Sequence, residues 1–115
     1  MRNDCIFCGI ADREVPADIL HESDHVVAFR DADPQAPVHI LLIPKEHIDS
    51  LNDHDARDTE MLSEMLFAAT HLARTEGIER TGWRLVSNVG PEGGQTVAHL
   101  HFHLLGGRQM TWPPG

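Results

Sequence analysis

The chain has 115 residues, a length typical of one domain, and we expect a single domain over residues 1–115. Nine basic residues stand against eighteen acidic ones, giving a formal net charge of −9, and no basic stripe that would suit a nucleic acid is present. No apolar run approaches the roughly 18 residues of a membrane span and no secretory signal follows Met1, so we expect a cytoplasmic protein that binds neither nucleic acid nor a membrane.

The first half of the chain predicts a short helix followed by three strands. Residues 4–12 are typical of a short turn or helical piece. Residues 19–22 and 25–30 favour strands and are separated by a two-residue turn, which predicts a hairpin. The apolar, β-branched run at 38–43 predicts a strand that is buried on both faces and ends at the following proline.

One long helix is predicted at about residues 55–76. Asp53 or Asp55 would cap its start, and Gly77 would end it. Apolar residues recur there at three- and four-residue spacing and form one stripe, which we expect to pack on a sheet: Leu62, Met65, Leu66, Ala69, Leu72 and Ala73.

Two further strands are predicted in the second half, at 83–89 and 97–105. Because the strands come mostly without helices between them, the sheet should be antiparallel. The fold class is therefore α+β, with about five strands, the long helix on one face and the short N-terminal helix.

The most informative residues are three histidines in the last predicted strand. His99, His101 and His103 alternate, so they would share one face of the strand at a spacing of about 6.6–6.8 Å. The residues that would face the core on the other side are Leu100, Phe102 and Leu104. Two functions are open at this point: the histidines bind one metal ion together, or they divide the roles of nucleophile and proton shuttle.

A glycine-rich loop at 93–96 immediately precedes these histidines. Its glycines would let backbone N–H groups close around a phosphate, and Gln95 and Thr96 add donors, which favours phosphate chemistry over a plain metal site. Cys5 and Cys8 are spaced as a C-x-x-C motif, which indicates either a metal site or a redox pair.

Together these motifs resemble the histidine triad (HIT) superfamily, and in particular the bacterial zinc-containing type of its Hint branch. The resemblance covers nearly the whole chain and is carried by the histidine signature at 99–105, the phosphate loop with Asn88 and 93–96, a second block at 37–39 and 43–48, and the tail at 105–115, which ends in Trp-Pro-Pro-Gly.

The resemblance implies a homodimer that binds purine nucleotides, AMP- or GMP-like, and hydrolyses the P–N bond of nucleoside 5′-phosphoramidates. It implies that His101 attacks the α-phosphorus and forms a nucleotidyl-imidazole intermediate, which water then cleaves. The other ring nitrogen of His101 would be held by the main-chain carbonyl of His99. Two alternatives stay open: a dinucleoside polyphosphate hydrolase, and a non-catalytic nucleotide-binding or zinc-stabilised interaction protein.

The same resemblance assigns roles to other positions. His39 would position or tune the nucleophile, Asp31 would hold the ribose hydroxyls, and Thr96 would assist the leaving amine. The groups expected to hold the phosphate are His103, Asn88, Gly94, Gln95 and Thr96. The expected walls of the base pocket, for which ordinary core packing is the alternative, are Phe7, Ile10, Val15 and Phe29.

A metal is implied separately from the chemistry. Cys5, Cys8, His47 and His99 resemble a zinc set, and Cys₂His₂ is a closed tetrahedral arrangement that suits a structural Zn²⁺. The chemistry itself would need no cofactor.

Three positions depart from the Hint pattern. Thr96 stands where serine is common, Thr111 stands where histidine often precedes the final Trp-Pro-Pro-Gly, and Ala32 is smaller than the usual branched residue. The first two departures leave the preference for a leaving group open, and Ala32 would widen the ribose side of the pocket.

Overall fold

The computed structural model describes residues 4–115, and its helices and strands form an antiparallel five-stranded sheet with one helix on each face. The elements in chain order are α1 (Ile6–Ala11), β1 (Ile19–Glu22), β2 (Val26–Arg30), β3 (Val38–Pro44), α2 (Thr59–Thr75), β4 (Trp83–Val86) and β5 (Phe102–Gly106). The strand order is β1-β2-β3-β5-β4, which confirms the predicted α+β class. Within the described part of the chain, no helix is long and apolar enough to cross a membrane.

The last two strands are shorter than predicted. The strand predicted at 83–89 ends at Val86, and the one predicted at 97–105 begins only at Phe102. The cause is that the segment before β5 makes its hydrogen bonds outside the sheet: the main-chain N–H of Leu100 donates to the carbonyl of Ile48 at 2.6 Å. The prediction that one strand carries all three histidines on one face is therefore wrong, since only His103 lies in β5.

The long helix also begins later than predicted, at Thr59 rather than near residue 55. Asp55 caps a 3₁₀ turn at Ala56–Asp58 through a capping box with Asp58, and this turn takes up the first residues of the predicted helix. Gly77, with φ of +78°, follows the helix end as expected.

Most of the predicted apolar stripe of α2 is buried. The buried residues are Met61, Met65, Ala68, Ala69, Leu72 and Ala73. Leu66 was expected in this stripe but is 52 % exposed, and its neighbour Phe67 is 75 % exposed. At about 100° per residue, Leu66 points well away from the centre of the buried face, which lies near Met65.

The two faces of the sheet are covered differently. The α2 helix packs on the face that includes Ala28, Leu42 and Leu104, whereas α1 packs on the face that includes Phe29 and Leu41. The alternation within β3 places its apolar residues in both clusters, as predicted for a strand buried on both faces. Because α1 is only six residues long, it leaves part of its face open near β5, and the candidate site lies there.

Candidate functional site

A cavity of about 570 Å³ lies between α1 and the sheet. Its apolar lining includes the four residues expected around a base: Phe7, Ile10, Val15 and Phe29. Its polar residues include Asp31, Thr96, His101 and His103. The fold thus joins an apolar slot to two imidazoles, a hydroxyl and a carboxylate, although these groups come from distant parts of the chain.

His101 is almost fully buried, and one of its nitrogens is fixed by the backbone. Its Nδ1 lies 2.7 Å from the main-chain oxygen of His99, so Nδ1 carries the hydrogen and donates it. The neutral ring then has its lone pair on Nε2. The edge of Phe7 packs against the ring with centroids 5.2 Å apart and restricts its orientation. This is the state that an imidazole needs in order to act as a nucleophile.

A second chain of hydrogen bonds fixes His39 and His103. The N–H of Gln35 donates to Nδ1 of His39 at 3.0 Å, so His39 carries its hydrogen on Nε2. That Nε2 lies 2.9 Å from Nδ1 of His103 and 3.3 Å from a carboxylate oxygen of Asp31. His103 accepts at Nδ1 and therefore presents Nε2–H as a donor.

Burial keeps these two rings neutral. Loss of solvation, reinforced by His101 and His39, lowers the pKa of His103 from 6.5 to about 4. Burial also lowers the pKa of His39, although Asp31 opposes that shift. A hydrogen-bond donor without a positive charge therefore lies beside His101 at neutral pH.

The glycine-rich loop is held by the side chain of Gln95. Its Nε2 donates to the main-chain oxygens of Asp49 at 2.7 Å and Val97 at 3.0 Å, and its Oε1 accepts from the N–H of Gly90 at 3.0 Å. Gly94 has φ of +78°, a conformation that favours glycine. Neither Gly94 nor Gln95 lines the 570 Å³ cavity, whereas Thr96 does.

The remaining predicted residues of the nucleotide site lie on the far side of His103. Asn88 and His39 line a second cavity of about 310 Å³, which His103 also lines. Arg84 and Arg108 line it as well, and the sequence analysis did not single out either of them. His103 thus separates an apolar cavity from a polar one.

Cys5, Cys8, His47 and His99 form a cluster whose four ligand atoms all lie within 4.8 Å of one another. Sγ of Cys5 is 3.3 Å from Nδ1 of His99, and Sγ of Cys8 is 3.3 Å from Nδ1 of His47. Tetrahedral zinc bonds place sulfur and nitrogen ligands about 3.5 Å apart, so the spacing fits such an ion.

The outer nitrogens of both histidines in this cluster are already bonded. Nε2 of His47 lies 2.7 Å from a carboxylate oxygen of Asp49, and Nε2 of His99 lies 2.9 Å from the main-chain oxygen of Pro44. Such bonds direct the Nδ1 lone pairs at the cysteines, as in metal-binding histidines. Asp49 was missed by the sequence analysis, and its position two residues after His47 was the only local signal.

The pattern of the HIT domain matches residues 12–110. The chain belongs to the HIT family. A crystal structure of a HIT family hydrolase from Legionella pneumophila is 54 % identical, covers 97 % of this chain and 100 % of its own, and superposes with a TM-score of 0.95.

Two curated HIT relatives are similar over nearly the whole of this chain. A 14 kDa zinc-binding protein of Brassica juncea is 47 % identical and covers 97 % of this chain and 100 % of its own length. Adenylylsulfatase HINT1 of Arabidopsis thaliana is 47 % identical and covers 96 % of this chain and 76 % of its own length. The chain therefore has Hint-like homologues, which confirms the resemblance drawn from its motifs.

Proposed function

We propose that this HIT protein hydrolyses the P–N bond of purine nucleoside 5′-phosphoramidates through a covalent intermediate on His101. The observation that carries the proposal is the hydrogen bond from His101 Nδ1 to the oxygen of His99, because in the neutral ring it places the lone pair on Nε2, and His101 lines the cavity. The hydrolase and nucleotide-related names of the relatives support the wider class of nucleotide hydrolase.

The reaction has two displacements. With the base against Phe7 and Phe29 and the ribose at Asp31, the α-phosphorus lies before Nε2 of His101. Attack forms the N–P bond and breaks the bond to the amine, which leaves with a proton from the Thr96 hydroxyl or solvent. Water then attacks the same phosphorus, breaks its bond to Nε2 and releases the nucleoside monophosphate. The proton that the water loses returns to Thr96 or to solvent, and His101 returns to its neutral form.

Charge on the transferring group is stabilised by neighbouring donors. His103 presents Nε2–H, and His39 fixes that tautomer through the bond to His103 Nδ1. A neutral donor of this kind serves both displacements, because its hydrogen stays in place while the phosphoryl oxygens gain charge. Asn88, on the other side of His103, adds an amide donor.

We also propose that Cys5, Cys8, His47 and His99 hold one structural Zn²⁺. The spacing of their ligand atoms and the zinc-binding name of the Brassica relative support this assignment. A bound ion would tie α1 to the segment before β5 through four protein ligands. The two thiols are consistent with a reducing compartment such as the cytoplasm.

A homodimer is the proposed assembly. The exposed Leu66 and Phe67 on α2 give an apolar surface for a second copy. Sedimentation of the wild type and of Phe67→Glu tests this: a dimer that becomes a monomer in the variant supports it, and a wild-type monomer contradicts it.

The test of the function compares substrates and variants. Adenosine 5′-phosphoramidate and a diadenosine polyphosphate are given to the wild type, to His101→Ala and to the control His21→Ala, which alters a histidine on β1 outside both cavities. We expect the phosphoramidate to be preferred and kcat/KM to fall by roughly 10⁴-fold or more only in His101→Ala.

Other outcomes would select an alternative. Faster cleavage of the dinucleotide would favour a polyphosphate hydrolase. Nucleotide binding without turnover of either compound would favour a non-catalytic binding protein. Normal turnover by folded His101→Ala would show that another group is the nucleophile.

A further inference from the structure

The 310 Å³ cavity beyond His103 is polar, and two of the residues that line it are arginines, Arg84 and Arg108. Asn88 and His39 also line this cavity. The cavity shares His103 with the larger, mostly apolar cavity but does not include His101. The two cavities therefore meet at one imidazole, and the proposed nucleophile faces only the larger one.

The register of the sheet explains why Arg84 faces this cavity. Arg84 pairs with Leu105, and Leu105 pairs with His39, so these three residues form one row across adjacent strands. Paired residues in antiparallel strands point to the same face, and residues two apart along a strand do so as well. Arg84 therefore lies on the face that carries His39 and His103, which is the face left open by α1.

The charges of these two arginines are not balanced by carboxylates. Among residues 4–115, the cations that form ion pairs with Asp or Glu carboxylates are Arg13, Arg30, Lys45, Arg57 and Arg74. Arg84 instead donates to the main-chain oxygen of Thr111 at 3.0 Å, and Arg108 to that of Gln35 at 2.9 Å. In a chain with eighteen acidic residues, two positive charges at one cavity without a carboxylate indicate a site for an anion.

We propose that Arg84 and Arg108 form a subsite for a compact oxyanion on the leaving group of the substrate, a carboxylate, sulfate or phosphate. This inference rests on the proposed function and narrows its substrate class. Arg84 uses one donor on a main-chain carbonyl, and Arg108 uses two, on Gln35 and at 3.3 Å on Gln109. Each guanidinium keeps further donors in a planar arrangement that matches such oxyanions.

The direction of attack places the leaving group at this cavity. A nucleophile displaces the group on the opposite side of phosphorus, and His101 attacks from the larger cavity. With the nucleoside in the apolar slot, we place the departing bond on the side of phosphorus away from His101 and past His103, where Arg84 and Arg108 line the second cavity.

The experiment compares two leaving groups of equal size. AMP is joined through its phosphorus to 3-aminopropanoate, which carries a carboxylate, or to 3-aminopropanamide, which is neutral. The ratio of kcat/KM for the two compounds is measured in the wild type, in Arg84→Gln and in Arg108→Gln. The control is Arg80→Gln, an exposed arginine that lines neither cavity.

We expect the ratio of kcat/KM for the anionic substrate to kcat/KM for the neutral one to fall about 10-fold in each cavity variant. In Arg80→Gln this ratio should stay at the wild-type value. Differences in amine basicity cancel, because each variant is compared through the same two compounds. If the arginines only hold the main chain at Thr111 and Gln35 in place, kcat/KM falls equally for both substrates and the ratio is unchanged, which overturns the inference.

A binding measurement separates this inference from the proposed reaction. The ratio of the dissociation constants of AMP and ADP, measured by calorimetry, reports whether a second phosphate gains affinity. Adenosine 5′-phosphosulfate, tested in the same way, distinguishes a sulfate from a phosphate. A preference for ADP or adenosine 5′-phosphosulfate over AMP that is lost in both cavity variants supports the subsite even if no P–N bond is cleaved; equal ratios in all proteins contradict it.

Discussion

The imidazole of His101 donates its Nδ1 hydrogen to the main-chain oxygen of His99 at 2.7 Å. The side chain of His99 points elsewhere, with its Nδ1 3.3 Å from the sulfur of Cys5. One residue thus belongs to both centres: its backbone orients the proposed nucleophile and its ring belongs to the cysteine–histidine cluster. The proposed nucleophile and the cysteine–histidine cluster are therefore linked through one residue.

This arrangement predicts how the protein responds to loss of metal. We expect about one zinc ion per chain, and chelation or Cys8→Ala should lower the melting temperature by roughly 10 °C or more, because the ion joins α1 to the segment before β5. Metal analysis and thermal unfolding check this, with His21→Ala as the control. A metal-free protein that melts like the untreated one would defeat the zinc assignment.

Chelation also separates a structural from a catalytic ion. At a temperature below the melting temperature of the chelated protein, we expect the turnover rate to be largely retained, although the melting temperature itself has fallen. Complete loss of turnover in a chelated protein that is still folded would show that the ion takes part in the reaction.

A second prediction concerns Asp31 and the ribose. One of its oxygens accepts from the N–H of Asp33 at 2.8 Å, a bond that an asparagine oxygen can keep. Asp31→Asn should therefore preserve the turn but reduce the preference for ribonucleotides over 2′-deoxyribonucleotides by about 10-fold in kcat/KM. Asp33→Asn is the matched control, and an unchanged preference in Asp31→Asn would remove the ribose role.

The half-buried His103 makes stability depend on pH. Burial lowers its pKa to about 4 in the folded chain from 6.5, so between these values the unfolded chain binds more protons. The free energy of unfolding should fall as the pH drops from 6.5 towards 4, and this group should have no effect above that window. In His103→Gln the melting temperature should fall less between about pH 7 and pH 5 than in the wild type.

His25 provides a control of opposite sign. Its hydrogen bond to Glu64, at 2.8 Å, raises its pKa, so its stabilisation is fully present below about pH 6.5 and is lost as the pH rises through the folded value. His25→Gln should therefore cost more stability at about pH 5.5 than at pH 8. The same pH trend in both variants would contradict these assignments.

Much of the fold followed from sequence patterns, but the path of the chain before β5 did not. Alternation predicted that Leu100 and Leu104 would be buried, and both are. It did not predict that the chain leaves the sheet before β5. The hydrogen bond from Leu100 to Ile48 joins residues 52 positions apart, and local sequence patterns do not report contacts over that separation. Because of that departure, the His99 side chain lies in the cysteine–histidine cluster while His101 lines the cavity.

The candidate site shows the same division. The motifs singled out the residues of the apolar slot and those of the cysteine–histidine cluster, and the fold assembles each of the two groups. The bracing of the loop by Gln95 on Asp49, and the row that joins Arg84 to His39, depend on tertiary contacts and strand register. These contacts cannot be read from local sequence patterns, because they form only once the strands have paired in their final register.

The central claim, a covalent bond between phosphorus and His101, is tested most directly by trapping. The wild-type protein is mixed with an adenosine phosphoramidate labelled at the α-phosphorus. The reaction is stopped in alkali within one turnover, and the protein is then digested into peptides. We predict label on the peptide that contains His101 in the wild type and none in folded His101→Ala. Turnover by the wild type without protein-bound label, or equal labelling of the variant, would contradict the mechanism.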